Sequence, residues 1–421
     1  MEVLAWLVIV TLAFVLIKKY GFVSLLVFTT PIHRIAFHFG FALKPFYIIL
    51  LVASFSALVE RRSPAVFSKL DLMFKLIFFF IASILLSTFL NGANPISFRH
   101  IIVFVIAISG SYLVYRKINT VEDIRRLTNV YLSAGLLLGL TGLAFYALYF
   151  IRPDLCVLDS IFEGVTYDLD KDWTWPMLQS VDVGSNGYAL NLIPFMFISL
   201  GSLISAKGFR TKLYAGLVTL LLFSNLFLTF SRGGMVSFFV VIIAMVFLSG
   251  KRRMLKFVYI SLILVLLPLS FRFLGDYYVA YSTMKGAYSG EGSDLLSSRG
   301  ELFMSSLNVY LSHPVFGVGQ GVISEDIYVG KQAHNTYMEL LAENGIIPFL
   351  LFCSLLVFLI KKMLYIRKQA QIYDKYYLCM PFVFGMLGLL VAAIPQSAIT
   401  TTILWLHMAI IIGIYNVIKR A

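Results

Sequence analysis

The sequence predicts an all-α polytopic membrane protein, and three observations carry that prediction. Of its 421 residues, 60% are hydrophobic and only 13% charged, with a mean hydropathy of +0.89, well outside the range of a soluble globular domain. Apolar runs long enough to cross about 30 Å of hydrocarbon, which takes roughly 20 residues at 1.5 Å rise each, recur along the chain. Their length and lack of strict alternation argue for helices rather than barrel strands, and the basic residues gather in alternate loops.

Candidate spans cover residues 3 to 17, 21 to 32, 42 to 59, 72 to 90, 99 to 115, 127 to 151, 188 to 205, 211 to 229, 233 to 249, 254 to 272, 344 to 361, 376 to 394 and 400 to 418. The second is short and ends near Pro31 and Arg34, so it either crosses or re-enters, giving 12 or 13 spans. The apolar stretch from Met1 to Ile17 has no small-residue cleavage site and reads as a retained first helix. The side on which it starts depends on the second segment. The organisation expected is a transmembrane unit over residues 1 to 272 with an external loop at 152 to 187, a large external catalytic loop at 273 to 343, and C-terminal helices over 344 to 421.

A formal charge of +13 would suit a nucleic-acid binder, but the placement of the charge argues otherwise. Lys18-Lys19, Arg61-Arg62, Arg116-Lys117, Arg125-Arg126, Lys207 to Lys212, Lys251 to Lys256, Lys361 to Lys375 and Lys419-Arg420 all fall on one side of the predicted topology. That side is the cytoplasm by the positive-inside rule. Three cysteines, Cys156, Cys353 and Cys379, imply no disulfide framework.

Two connections are long, and both come out external. The first is acidic and aromatic, with Tyr167, Trp173 and Trp175 among its seven Asp and Glu; it suits either carbohydrate stacking or a solvated loop with interfacial tryptophans. Asp168, Asp170 and Asp172 have a hint of calcium-loop spacing but lack the Gly and distal Glu of an EF-hand. No His, Cys or Asp spacing suggests zinc.

The second long connection is where chemistry is expected. Ser298 to Glu301 matches a capping box, predicting a helix start there with Arg299 in its first turn and an apolar face of Leu302, Phe303, Ser306, Leu307 and Tyr310, ended near His313-Pro314. Gly317, Gly319 and Gly321 follow without the Lys-Ser/Thr of a phosphate loop, so a tight turn with close backbone approach is the reading. Asn335 is placed to cap a second helix, Thr336 to Glu343. His334 stands just before it, where an imidazole at the membrane surface can accept a proton near neutral pH. A surface histidine bonded to a loop carbonyl is the plainer alternative.

Arg99, Arg152, Arg232, Arg272 and Arg299 break the positive-inside pattern. Arginine pairs phosphate oxygens bidentately and keeps its charge, so a cluster of them at the outer leaflet suits an anionic lipid headgroup. Arg232 is the sharpest case, since Thr229 to Gly234 interrupts an apolar run with almost no loop. A snorkelling arginine at a helical hairpin is the alternative there.

Taken together, Arg299, His313 to Gly319, and His334-Asn335-Thr336-Tyr337-Met338-Glu339-Leu340-Leu341-Ala342-Glu343-Asn344-Gly345 resemble the core signature of the O-antigen ligase and polymerase superfamily. Ser231-Arg232-Gly233 resembles its second signature. The resemblance implies about a dozen helices, one large external loop late in the chain, and a bacterial inner-membrane location with the active site on the periplasmic side. It implies transfer of a glycan, whole, from an undecaprenyl-pyrophosphate carrier to an acceptor hydroxyl, with no nucleotide sugar, metal or other cofactor. On this sequence His334 would be the base, and Arg232 and Arg299 would hold the pyrophosphate and stabilise its departure. Asn335, Arg152 and Arg272 complete the expected substrate-binding set.

The acceptor separates the two main branches. A ligase uses the lipid A core; a polymerase uses the end of another lipid-linked repeat and can work with a chain-length regulator. Ligases often carry a polar or His residue two before the His-Asn pair, here Gln332, which leaves both open. The run from Thr336 to Gly345 resembles the polymerase branch slightly more. A lipid-linked-glycan transporter is a further reading, but the predicted spans are nearly free of central charges and show no duplicated halves. A purely structural scaffold gives no reason for Arg232 or His334.

Overall fold

The computed structural model describes residues 21–30, 37–38, 42–43, 46–50, 52, 72–92, 95–151, 162–163, 177–178, 185–248, 260, 295–323, 329, 333–372 and 375–420, the side chains of 37–38, 42–43, 145, 148–150, 162–163, 177–178, 185 and 295–299 excepted. Within these residues the protein is an all-α membrane bundle. Seven helices are long and apolar enough to cross a bilayer: α2 (Leu72–Leu90), α3 (Pro95–Lys117), α4 (Val121–Ile151), α5 (Ser185–Ser205), α6 (Phe209–Leu228), α10 (Ile346–Ile372) and α12 (Thr402–Arg420). Two further apolar helices, α7 (Arg232–Leu248) and α11 (Tyr376–Ala392), have 17 residues each.

The expected spans from 72 onward recur, apart from 254 to 272, most of them with shifted ends. α10 runs 11 residues past the expected 361, carrying Lys361, Lys362, Arg367 and Lys368 on a helix that outlasts the hydrocarbon. The short second segment is a helix of only eight residues, α1 (Phe22–Thr29). At about 12 Å it is too short to cross alone. The third expected span begins later than 42: Ala42–Leu43 instead pairs antiparallel with Phe37–His38, and helical backbone resumes at Phe46. Another two-residue pairing joins Phe162–Glu163 to Met177–Leu178. The expected spans 3 to 17 and 254 to 272 lie outside the described residues, as does the question of which side the chain starts on.

The bundle is built around two helices. In α5 and α12, 83% of the apolar window is buried, whereas the other spans bury 28–44% and turn the rest outward. Lipid tails are as apolar as leucine, so close packing rather than water exclusion holds such helices together. Small residues do this work: a Cβ on Gly201 of α5 would lie 2.2 Å from Pro381 of α11, and one on Gly388 of α11 would lie 2.5 Å from Ile193 of α5. His407 of α12, fully buried, donates Nε2–H to the Phe382 carbonyl (2.8 Å) and accepts the Tyr131 hydroxyl at Nδ1 (3.2 Å), so α4, α11 and α12 share one polar knot.

Charge separates along the bundle axis. Arg116, Lys117, Arg125, Arg126, Lys207, Arg210, Lys212, Lys375, Lys419 and Arg420 lie at or beyond the helix ends that share one face, where Arg367 and Tyr376 also reach the Leu248 carbonyl that ends α7. At the opposite face stand α8 (Leu295–Ser312) and α9 (Thr336–Asn344), both short and outside the spans.

α8 begins three residues before the expected cap, so the Ser298-to-Glu301 spacing falls inside the helix rather than at its start. It ends at Ser312, directly before His313-Pro314, as proline's missing N–H requires. Of its expected apolar face Ser306 is buried, while Phe303 is 40% exposed. Gly317, with φ +61°, carries the chain against the end of α9: a Cβ there would lie 2.3 Å from the Glu343 carbonyl group. Gly345, with φ +80°, ends α9 and would place a Cβ 2.2 Å from the Val315 carbonyl oxygen. Both positions combine a left-handed backbone with a backbone obstacle, which only glycine accepts. Gly317→Ala and Gly345→Ala are therefore expected to destabilise by more than about 1 kcal/mol each. Gly300→Ala, at an open helical site in α8, should be neutral or stabilising by roughly 0.5–1 kcal/mol. Thermal unfolding of the three purified variants checks the contrast.

Candidate active site

The site is organised by the loop between α11 and α12, residues 393–401. Thr336, the first residue of α9, is fixed to it: its N–H reaches the carbonyls of Gln396 (3.0 Å) and Ala393 (3.2 Å), its hydroxyl donates to the Gln396 carbonyl (2.5 Å), and that hydroxyl accepts the Ala398 N–H (2.7 Å). Asn335 is the cap expected from the sequence, its side-chain oxygen accepting from Tyr337 N and Met338 N at 3.0 Å each. The residue before it, His334, is exposed and has φ +49°. Histidine adopts that conformation at a cost of about 1–2 kcal/mol. Here the anchoring of residues 335 and 336 on one side holds it.

Arg232 approaches the same loop from another direction. It is exposed at the first position of α7, after a three-residue connection from α6. Ser231 builds that helix start: its hydroxyl oxygen accepts the Gly234 N–H (3.2 Å) and donates to the Asn186 side-chain oxygen of α5 (2.7 Å). Gly233 lies directly against the loop, where a Cβ would be 2.9 Å from Pro395 and 3.3 Å from the Gln396 amide nitrogen. Loop 393–398 thus lies between Arg232-Gly233 and the His334-Asn335-Thr336 turn. Among the described residues two non-glycines have positive φ, Phe230 and His334. One lies two residues before Arg232; the other is the candidate base.

Gln396 is 4% exposed, and among the described residues neither atom of its side-chain amide has a hydrogen-bond partner. A buried amide left unsatisfied costs about 1–3 kcal/mol, and this one sits between the two candidate strands of chemistry. The sequence does not single it out, since residues 395 to 399 form only a brief connection between two apolar spans. The signal available was Pro395-Gln396-Ser397 set between two apolar spans.

Two buried carboxyls underpin the turn. Glu339 and Glu343, at i and i+4 on α9, are 7% and 2% exposed. Burial pushes the Glu339 carboxyl up to about 7. Glu343 is raised well above the usual carboxylate range by burial and then by the nearness of Glu339. Gln320 donates its amide to Glu343 (2.5 Å) and accepts from the Asn344 amide (2.9 Å), and the Gly319 N–H donates to the Glu343 carbonyl (2.7 Å). The glycine-rich turn is therefore a clasp on the end of α9. The outer ends of α2 and α3 close over it: Ser87 and Asn91 donate to the Phe316 carbonyl, and the His100 ring occupies the space a Cβ on Gly321 would need.

Of the expected site residues, His334, Asn335 and Arg232 flank one loop. Arg299 lies in the first turns of α8, a helix that packs along α9, and its side chain is outside the described residues. Arg152, Arg272, Gln332, most of the aromatic acidic loop and the Asp168-to-Asp172 run are also outside them. Arg99 is exposed on the first turns of α3, at the same end of the bundle.

Residues 217–353 match the model of the Wzy_C family, described as O-antigen ligase. The matched stretch contains Arg232, Arg299, His334 and Asn335, and it supports a place in the O-antigen ligase and polymerase superfamily. No curated protein matches the chain.

The raised carboxyl of Glu339 fixes a sign for pH dependence. Folded protein holds a proton that the unfolded chain releases, so stability is greatest below the ordinary carboxylate range and falls as pH rises toward about 7. Unfolding temperature should decline between pH 5 and pH 7.5, and Glu339→Gln should flatten that decline. An unchanged slope in the variant would assign the effect elsewhere.

Proposed function

We propose that this protein is a metal-independent membrane glycosyltransferase that moves an undecaprenyl-pyrophosphate-linked glycan whole onto an acceptor hydroxyl at the periplasmic face of the inner membrane. The observation that supports this reading is the single loop, 393–398, met by Gly233, the residue after Arg232, and by Thr336, two residues after the strained His334, with Arg232 and His334 themselves inside the stretch that matches the O-antigen ligase model. A cation for a leaving diphosphate and an imidazole for a hydroxyl proton are the two groups such a transfer needs.

In this mechanism the acceptor hydroxyl gives its proton to the His334 imidazole as its oxygen bonds the anomeric carbon. The bond from that carbon to the pyrophosphate oxygen breaks, and undecaprenyl pyrophosphate leaves with the electron pair. Arg232 and Arg299 stabilise the negative charge that gathers there, in surroundings less polar than water. One displacement on an already activated donor inverts the anomeric centre. Asn335, together with Arg152 and Arg272, serves binding.

The polymerase reaction, in which the acceptor is another lipid-linked repeat, is the reading preferred here, on the run from Thr336 to Gly345. Ligation to the lipid A core is the second reading, favoured by the family description of the matched stretch. Transport is disfavoured by His407: the buried histidine of the spans has both ring nitrogens bonded to protein groups and no exposure to a passage.

His334→Ala should lower transfer about 10²- to 10⁴-fold, the usual contribution of a general base. Arg232→Lys should fail to restore activity where bidentate phosphate pairing is required. Glycan ladders from cells expressing each variant at equal level read both effects; near-normal ladders would sink the assignment. In deletion cells, single repeats on the core with no ladder indicate the polymerase, whereas accumulated lipid-linked polymer with bare core indicates the ligase.

A further inference from the structure

We propose that the end of the bundle remote from the candidate site carries a binding pocket for the anionic headgroup of a membrane phospholipid, a function separate from glycan transfer. The cavity has a volume of about 440 Å³ and opens between α2, α10 and α12. Three ammonium groups line it: Lys361 and Lys362 from α10, and Lys419 from α12. Tyr365, Tyr415 and Asn416 form its polar floor.

The arrangement is built rather than a loose run of surface lysines. Lys362 Nζ stands 3.9 Å from the centre of the Tyr415 ring, and Lys419 Nζ stands 6.0 Å from the same ring. Tyr365 packs edge-on against Tyr415, with ring centres 5.0 Å apart, and Asn416 donates to the Tyr115 hydroxyl at 3.0 Å. The floor is therefore fixed from α3, α10 and α12 together. Lysines at span ends are ordinarily accounted for by topology and project into open water. Here Lys362 and Lys419 converge over one ring, and Lys361 lines the same concavity. An anion with several oxygens can accept from the ammonium groups gathered there.

The depth of the pocket selects the kind of anion. Its apolar wall is Leu72 and Met73, which begin α2, with Phe358 one turn further along α10. Leu72, 53% exposed, and the half-buried Phe358 continue into the outward-facing apolar surface, so a ligand with phosphate at the lysines and acyl chains along the helices meets matching chemistry at both levels. Basic pockets between transmembrane helices at headgroup depth recognise anionic lipids in this way.

The experiment uses the full chain purified in mild detergent, delipidated, and incubated with phosphatidylglycerol, cardiolipin or phosphatidylcholine before native mass spectrometry. One anionic lipid should be retained through washing and phosphatidylcholine should not. Lys361→Gln with Lys419→Gln, both at exposed positions and compatible with folding, should weaken retention about tenfold or more, and adding Lys362→Gln should bring the loss to roughly a hundredfold. Lys362→Arg should retain the lipid, and unfolding temperature controls for misfolding. Equal retention of phosphatidylcholine, or unchanged retention in the double variant, would overturn the proposal. Displacement of the lipid by millimolar inorganic phosphate would move the site to a soluble anion and would overturn it as well.

Discussion

The anchoring of Thr336 on the α11–α12 loop is the constraint on which the rest of the external end depends. Its backbone and hydroxyl engage the carbonyls of Ala393 and Gln396 and the N–H of Ala398, each bond contributing about 1 kcal/mol net. This joins the start of a short helix outside the spans to the end of two helices within them. Without it, α9 would be a nine-residue helix, too short to hold its shape by propensity. With it, His334, two residues before, is held firmly enough to keep a positive φ.

From that anchor the other parts follow. The C-terminal end of α9 is held by the clasp of residues 317–321 and by the Pro314 carbonyl accepting the Ile346 N–H at 3.0 Å. Buried carboxyls at 339 and 343 face inward instead of toward solvent, and their raised affinity for protons is the electrostatic consequence of packing α9 so closely. Beneath, α5 and α12 give the loop a fixed platform, since their burial leaves them little freedom to move. The site is thus a rigid rim on a packed bundle, consistent with chemistry that relies on positioning.

Much of this was legible in the sequence because membrane burial writes itself in long apolar runs and segregated charge. The Asn335 cap, the stop at His313-Pro314 and the close-approach role of the glycine turn were readable because each follows from a local backbone requirement. The onset of α8 at Leu295 was not, because a capping-box spacing also fits inside a helix. Nor was the hairpin of Phe37–His38 with Ala42–Leu43, hidden in residues apolar enough to pass as a span. Gln396 and the buried state of Glu339 and Glu343 were invisible for another reason: they arise from contacts across more than 20 residues, which no local pattern records. Arg232 and His334 stand out singly as oddities of charge and position, but only the fold sets their near neighbours in the chain, Gly233 and Thr336, against one loop.

The most direct test of that joint placement is a double-mutant cycle on transfer rate, using the purified full chain and an undecaprenyl-pyrophosphate-linked glycan donor. If Arg232 and His334 act on the same transition state, the Arg232→Ala/His334→Ala protein will lose little more activity than the worse single variant, as groups acting as a unit do. Losses that multiply would mean two independent roles, and single variants that retain wild-type turnover would contradict the account outright.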